Sequence, residues 1–476
     1  MIIDFSFEDT FKILGNIVKT MRKISICVGS QTPVVRFKLT SEDLFEKYGD
    51  LPEPVSIDGL VEGEDYDFTP GGVTGMVKPL LEKMHADGKI KRPHWVAINP
   101  LGPERAMVGG IVLHRIEMEP LELAGYGHFK ERMWRSVHGL EETEIPRHYF
   151  RDFALLNWLY AKKMLDLNLE FNFDLFYVHD FQLLLIGSMV GPAAPKVFRW
   201  HIPIDVGNLS PEWRSFLLRY LEEYDAVIVS CKKYKKSLLR AGFKGKVYQF
   251  YPHLDQRAHE KAPAPQVNQF CEKFGIRDGN KVVVVVARLD PIKGQDIAIK
   301  ALARVVKRFP NTKLVLVGDG SFSSARRGGI GLPKGSKWLA KLMGLTRRLG
   351  IHDNVIFTHY LTFEDLRSAY TRADLVVLPS RLEGFGLVVV EGWLYKKPAI
   401  ISSGAGIAEL VVEGKNGYLF NPNKPEELAR KIINMLSKPK QAGKMGEGGF
   451  ETASKCYLEK GIRSLQNVFL EALGER

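Results

Sequence analysis

Short runs of uninterrupted apolar residues, each followed by a longer segment with apolar positions every three or four residues, dominate the second half of the chain. Lys281-Val-Val-Val-Val-Val-Ala287, Leu314-Val-Leu-Val-Gly318, Val355-Ile-Phe357, Leu375-Val-Val-Leu378, Pro398-Ala-Ile-Ile401 and Gly417-Tyr-Leu-Phe420 are such runs. A strand that is apolar at every position must be covered on both faces, as in a parallel sheet flanked by helices. The first half repeats the pattern at Leu175 to Val178, Val197 to Trp200, Ala226 to Val229 and Val247 to Phe250, with weaker candidates near Val96 and Ile111. The region before them is hard to place. Between the halves, Tyr251 to Val267 holds Pro252, Pro263 and Pro265 among charged residues, which predicts a linker. Near the end, Tyr457, Ile462, Leu465, Val468, Phe469 and Leu473 have helical spacing and predict a helix that packs back across both domains. The expected fold class is α/β, with two facing Rossmann-like, doubly wound parallel-sheet domains and a cleft between them. Residues 1–252, joined by the returning helix 450–476, form the first domain and residues 253–449 the second. The sequence contains no internal repeat and no low-complexity tract.

The bulk numbers narrow the setting. At 476 residues, 45% hydrophobic and 26% charged, the chain has the composition of a folded globular protein with ample core. Cys27, Cys231, Cys271 and Cys456 are scattered without metal-ligand spacing and predict free thiols, no metal centre and a reducing, cytoplasmic location. No window approaches the length of apolar sequence that crosses a bilayer, and Asp4, Glu8 and Asp9 stand where a signal peptide would be basic. The net charge of +12 favours anionic partners, phosphorylated metabolites above all. The densest basic stretches, Lys232 to Lys246 and Arg326 to Arg348, read mostly as solvated helix faces, and no groove-reading motif supports a nucleic-acid partner.

In open parallel sheets, ligands bind beyond the carboxyl ends of the strands, so chemistry is sought where strands end. Arg381-Leu-Glu-Gly-Phe-Gly-Leu-Val-Val-Val-Glu391 follows the Leu375 strand and puts Glu383 and Glu391 around a Gly-Phe-Gly turn that opens a helix. Free N–H groups at a helix start suit a diphosphate or a sugar hydroxyl, and carboxylates accept from vicinal diols: Glu383 from a donor sugar, Glu391 from a ribose. Arg288-Leu-Asp-Pro-Ile-Lys-Gly294 places Arg288 and Lys293 on another strand-end loop, where two cations neutralise a departing diphosphate. In the first half, Tyr177-Val-His-Asp-Phe-Gln-Leu183 and Phe198-Arg-Trp-His-Ile-Pro203 point Asp180 and His201 at the same cleft. Thr69-Pro-Gly-Gly-Val-Thr-Gly75 again sets glycines at a helix start. Val317-Gly-Asp-Gly320 follows a strand but lacks GxGxxG order, and no GxxxxGK[ST] loop exists, so NAD binding and P-loop ATP hydrolysis lose support.

Residues 275 to 440 closely resemble the nucleotide-sugar domain of retaining GT-B glycosyltransferases, with Arg288, Lys293, Glu383 and Glu391 in the family's order. Val178-His-Asp-Phe-Gln-Leu-Leu184 and His201-Ile-Pro203 resemble segments of the trehalose-6-phosphate synthases. Phe198-Arg-Trp-His-Ile and Pro211-Glu-Trp-Arg-Ser-Phe-Leu-Leu-Arg-Tyr220 through Asp225 resemble the trehalose glycosyltransferring synthases. The resemblance implies that Arg288 and Lys293 bind the diphosphate and Glu391 the ribose, and that Glu383 with the backbone of Gly384, Phe385 and Gly386 binds the donor glucose. It further implies that His201 lies near the bond being broken, Asp180 and Trp134 contact the acceptor, Gly71 and Gly72 approach the donor phosphate, and Arg326 or Arg327 reads an acceptor 6-phosphate. The opening Asn-Arg segment of the phosphate synthases has no counterpart before Gly71. The donor loop is Glu-Gly-Phe-Gly, as in the glycosyltransferring synthases, not Asp-Gly-Met-Asn.

The implied reaction is a retaining transfer of glucose from a nucleoside diphosphate glucose, with UDP-glucose a candidate, to glucose 6-phosphate; the alternatives are transfer to free glucose or another small sugar or polyol. No cofactor is required on this reading, and a divalent metal would at most stimulate. The partners are small-molecule substrates, without nucleic acid or membrane; a homo-oligomer is compatible but not specified. A sugar-nucleotide-binding protein without turnover is the reading from another class, and it would require a lost cation or carboxylate.

Overall fold

The computed structural model describes residues 22–69, 72–140, 144–320 and 335–475. Gly71, Arg326 and Arg327 lie outside these residues. The chain builds two large sheets. In the second half, the order is Val355–His359, Thr312–Val317, Lys281–Val286, Leu375–Leu378, Ala399–Ser402 and Tyr418–Phe420, all parallel. Numbered in its own chain order this sheet reads 3-2-1-4-5-6, so the direction of winding reverses between Lys281–Val286 and Leu375–Leu378. Such a reversal leaves a crevice at the carboxyl ends of the two strands because their following helices cover opposite faces.

The nine-stranded sheet of the first half runs Val247–Gln249, Ala226–Val229, Lys196–Trp200, Leu175–His179, Ile26–Gly29, His94–Ile98, Ile111–Ile116, Arg105–Val108 and Val55–Ser56. Its Arg105–Val108 and Ile111–Ile116 strands are antiparallel, joined by the two-residue Gly109-Gly110 turn; its other pairings are parallel. The central strand, Ile26–Gly29, escaped the pattern reading because it is four residues long and is enclosed by Ser25 and Ser30.

Helices bury both faces of each sheet. Against one face of the nine-stranded sheet lie Gly72–Ala86, through Met76, Val77, Leu80, Leu81 and Met84, and Leu458–Ala472, through Ile462, Leu465, Val468 and Phe469. On the other face, Phe129, Met133, Leu156 and Tyr160 pack in a cluster that continues into Val376, Phe385, Val389 and Trp393 of the second half, so the lobes share apolar contact.

The backbone crosses between lobes twice. The first crossing, after Gln249, and the second, where the Pro439–Ala453 helix gives way to Leu458–Ala472, run side by side. Leu254 N donates to Cys456 O at 3.1 Å, and Leu254 bridges to Tyr457 in parallel register. No described helix is long and apolar enough to cross a membrane. All four cysteines are free; Cys27, Cys231 and Cys456 are buried.

Candidate active site

The loops that follow the two strands at the winding reversal are locked together. Gly294 has φ +69°, and a Cβ there would sit 2.1 Å from the Pro379 carbonyl oxygen, so only glycine admits this approach. Arg381 N donates to Ile292 O at 2.8 Å, and the Arg381 guanidinium forms a two-pronged pair with Asp296 at 2.9 and 2.7 Å. The consequence is that Lys293 Nζ reaches Glu383 Oε2 at 2.6 Å, with Ser380 Oγ donating to the same oxygen at 3.1 Å. Burial alone would raise the Glu383 carboxyl; Lys293 and Ser380 overcome it and hold the group below its ordinary range. Arg288 stands beside them, half-buried, 3.7 Å from Asp290 and with its Nε unpartnered. Its loop is propped by Val317-Gly-Asp-Gly320: Leu289 N donates to Asp319 O at 2.7 Å and Ala287 N to Val317 O at 2.9 Å.

Gly386 is the N-cap of the helix Leu387–Leu394, at φ +110°. One turn inside, half-buried Glu391 accepts from the buried Tyr370 Oη at 2.7 Å, which fixes its carboxylate. The Phe385 ring points elsewhere. It is 4% exposed and stacks on Tyr251 of the first crossing, with centroids 5.6 Å apart. At this position only the backbone is available to a donor sugar, while the side chain ties the loop to the lobe junction.

From the first lobe, Asp180 and His201 end neighbouring strands. Asp180 has φ +66°, is buried, and accepts from the His201 N–H at 3.2 Å. Burial pushes its carboxyl up to about 7, against the pull of the backbone N–H groups of His201, Phe181 and Ile202. His201 is half-buried as a residue, and its Nε2 lies 2.9 Å from His179 Nδ1. Burial pushes His201 well down from its ordinary value, so the ring is neutral.

The two lobes touch at the site itself. A Cβ on Gly384 would lie 2.4 Å from the His201 carbonyl oxygen, so the donor loop rests directly on the first lobe. Tyr234 Oη donates to Glu383 O at 3.1 Å, Cys231 Sγ to Gly384 O at 3.5 Å, and the Glu409 carboxylate caps the Lys232–Arg240 helix by accepting from Lys232 N at 3.0 and 3.2 Å. Asp180, His201, Arg288, Lys293 and Glu383 are thus gathered where the two lobes meet.

Trp134 lies on the Pro120–Val137 helix and packs against His138 with ring centroids 4.1 Å apart and tilted by 33°; His138 Nδ1 is 2.8 Å from Trp134 O. His138 was missed by sequence reading; it feels the charges of Lys293, Arg288 and Glu383, while burial pushes it down to about 4. Its only sequence signal is the four-residue spacing from Trp134 on a helix that ends at the cleft. Gly72 opens the helix Gly72–Ala86, and a Cβ there would meet nothing within 4 Å. Among the described residues, no group of three or more His, Cys, Asp or Glu is placed to hold a metal ion.

Comparison with known proteins places this geometry. Residues 267–452 match the family described as Glycosyl transferases group 1, and residues 128–236 match the trehalose synthase N-terminal domain. A D-inositol 3-phosphate glycosyltransferase of Segniliparus rotundus is 32% identical over 201 residues, covering 42% of this chain and 42% of that one, so less than half of that relative is matched. A trehalose synthase of Pyrococcus horikoshii is 26% identical over 302 residues, 62% of this chain and 68% of that one. Among solved structures, the trehalose-6-phosphate synthase OtsA superposes with a TM-score of 0.72 at 15% identity, over 95% of this chain and 99% of that one. HepE of Anabaena, in complex with UDP and glucose, does so with a TM-score of 0.64 at 17% identity, over 94% and 100%. The fold is GT-B.

Proposed function

We propose that this chain, a GT-B glycosyltransferase resembling the trehalose synthases and trehalose-6-phosphate synthases, moves glucose from a nucleoside diphosphate glucose to the anomeric hydroxyl of glucose 6-phosphate with retention of configuration. The observation that carries this reading is the Lys293–Glu383 pair, set at the winding reversal of the second sheet and pressed through Gly384 against His201 of the first lobe. A cation and a carboxylate paired at 2.6 Å can exchange each other for a ligand, Lys293 for the diphosphate and Glu383 for sugar hydroxyls. Arg288 adds a second positive charge, and Glu391, steadied by Tyr370, would accept from the ribose.

In the transfer, the bond from the glucosyl anomeric carbon to the diphosphate oxygen breaks and the acceptor's anomeric oxygen bonds to the same face of that carbon. The acceptor proton passes to the departing phosphate. Lys293 and Arg288 stabilise the charge that grows on the diphosphate, each contributing a few kcal/mol, roughly, as preorganised groups. No protein carboxylate is needed as nucleophile. His201 and Trp134 would line the first-lobe side, and the touching lobes keep water from the sugar cation.

A second reading, transfer to free glucose, is favoured by two observations: the donor loop is Glu383-Gly-Phe-Gly386, and the first lobe matches the trehalose synthase N-terminal domain. Assaying product from UDP-, ADP- and GDP-glucose against glucose and glucose 6-phosphate decides between them. Disaccharide phosphate supports the first reading, free disaccharide the second, and no product with any pair overturns both.

A further inference from the structure

A cavity of about 300 Å³ opens between two helices of the second lobe, Gln295–Val305 and Gly335–Arg348, and none of the residues assigned to the transfer lines it. Small-molecule sites begin at that size. Its walls carry Asp296, Lys300, Trp338, Lys341 and Arg348, with Gly344 between the last two. The charges there do not balance. Asp296, the one carboxylate of the lining, is already held by the Arg381 guanidinium at 2.9 and 2.7 Å, and Lys300 reaches it only at 3.4 Å. Lys341 and Arg348 have no carboxylate partner among the described residues. A Cβ on Gly344 would lie 3.4 Å from Arg348 Nη1, so the guanidinium folds back over a stretch of wall that the glycine keeps bare. Cations without counter-charges around a hollow attract an anion, and Lys and Arg together suit a phosphate. Trp338 adds a flat apolar wall for the face of a sugar ring or a base.

The cavity is also tied to the catalytic loops. Trp338 Nε1 donates to Gln295 Oε1 at 3.0 Å, and Gln295, itself buried, donates from Nε2 to Arg288 O at 2.8 Å. Asp296 is the second tie: Arg381, which it holds, donates its N–H to Ile292 O, next to Lys293. One wall thus bears on the loop of Arg288 and another on the loop of Lys293. An anion that draws Lys300 away from Asp296 leaves that carboxylate wholly to Arg381, and a ring laid on Trp338 holds Gln295 against the Arg288 carbonyl.

We propose that this cavity is a regulatory binding site for a small phosphorylated metabolite, its phosphate among Lys300, Lys341 and Arg348 and its ring against Trp338, and that filling it firms the two loops that grip the donor. The binding stands by itself; the effect on the donor rests on the glycosyltransfer reading. Nucleoside monophosphates and hexose phosphates share the required chemistry, a ring bearing one phosphate.

The test is calorimetric titration of the full-length protein, in phosphate-free buffer, with adenosine 5′-monophosphate in one arm and fructose 6-phosphate in the other. Adenosine and fructose are the uncharged controls. At least one phosphorylated probe should bind, the tighter of the two naming the source, and neither control should. Combined Lys341→Gln and Arg348→Gln should weaken that binding about tenfold or more, as loss of charge-assisted hydrogen bonds does. Lys293→Ala should leave it unchanged, which separates the cavity from the donor crevice. The same probe should lower the donor KM about fivefold in the wild type, a usual size for coupling between sites. Trp338→Phe, which keeps a ring but loses the bond to Gln295, should still bind the probe and lose most of that response. Failure of both probes to bind, binding that survives Lys341→Gln with Arg348→Gln, or binding lost in Lys293→Ala overturns the site. Binding without any change in donor KM overturns the coupling. A protein that binds the probe in this pattern yet transfers no sugar would sink the functional reading and leave the site intact.

Discussion

The two sides of the crevice handle charge in opposite ways. On the second-lobe side, charges are paired and partly open to water: Lys293 with Glu383, each 18% exposed in its side chain, and Arg381 with Asp296. On the first-lobe side, polar groups have no opposite charge beside them among the described residues: Asp180 is held by backbone N–H groups, His179 and His201 are neutral, and Arg199 has no carboxylate partner. Paired charges can exchange their partners for a ligand's at little cost in reorganisation, whereas buried fixed dipoles hold one arrangement whether or not a ligand is present. One wall is thus built to be rewired and the other to stay.

The strongest way to break this contrast is Lys293→Ala. Turnover should drop by about a hundred- to a thousandfold, measured as release of nucleoside diphosphate, because a charge aimed at the leaving group is gone. Near-normal turnover would remove the second-lobe wall from the chemistry. Next in size is Asp180→Asn, which sharpens the first-lobe side. The folded carboxyl keeps its proton up to about 7, against an ordinary 3.8 in the unfolded chain. Between those values the folded state binds more protons, so wild-type stability should decline as pH rises through the window, by up to about 4 kcal/mol. Urea midpoints at several pH values should show that decline in the wild type and a flatter profile in the variant; parallel profiles would mean that the carboxyl is not held as described.

Gly384→Ala tests the contact between the walls. A methyl group 2.4 Å from the His201 carbonyl oxygen forces the lobes apart, so turnover should fall by up to about a hundredfold and the thermal midpoint should drop as well, because the clash is with backbone and the lobes share a core cluster. Unchanged kinetics would show that this contact is not made during turnover. Smallest is Glu409→Gln, which weakens the cap on the Lys232–Arg240 helix and should cost about 1 kcal/mol in thermal unfolding. No shift would mean that the cap adds nothing to the seam.

How much of this could be read from the chain follows from the range of each interaction. The second sheet was legible because each strand is apolar throughout, and Arg288, Lys293, Glu383 and Glu391 because they follow strands directly in sequence. The Ile26–Gly29 strand was too short to stand out. Tyr370 holding Glu391, His138 beside Lys293, and Glu409 capping a helix of the other lobe join residues far apart in sequence, and no local spacing signals them. Arg199 was in view within Phe198-Arg-Trp-His, but only strand alternation and the helix laid over it show that it points into the core. The Phe385 ring shows the reverse: inside a motif read for its ligand contacts, it serves the lobe junction.

The paired crossings at Leu254 and Cys456 constrain how the crevice admits its substrates. One connecting strand would let the halves twist and slide as well as part. Two, laced together by a main-chain hydrogen bond, make shear costly and leave a swing about their common line as the soft motion, like a door on its pin. The gap then widens in proportion to distance from that line, so under the proposed transfer a bulky nucleotide sugar would enter at the far rim first.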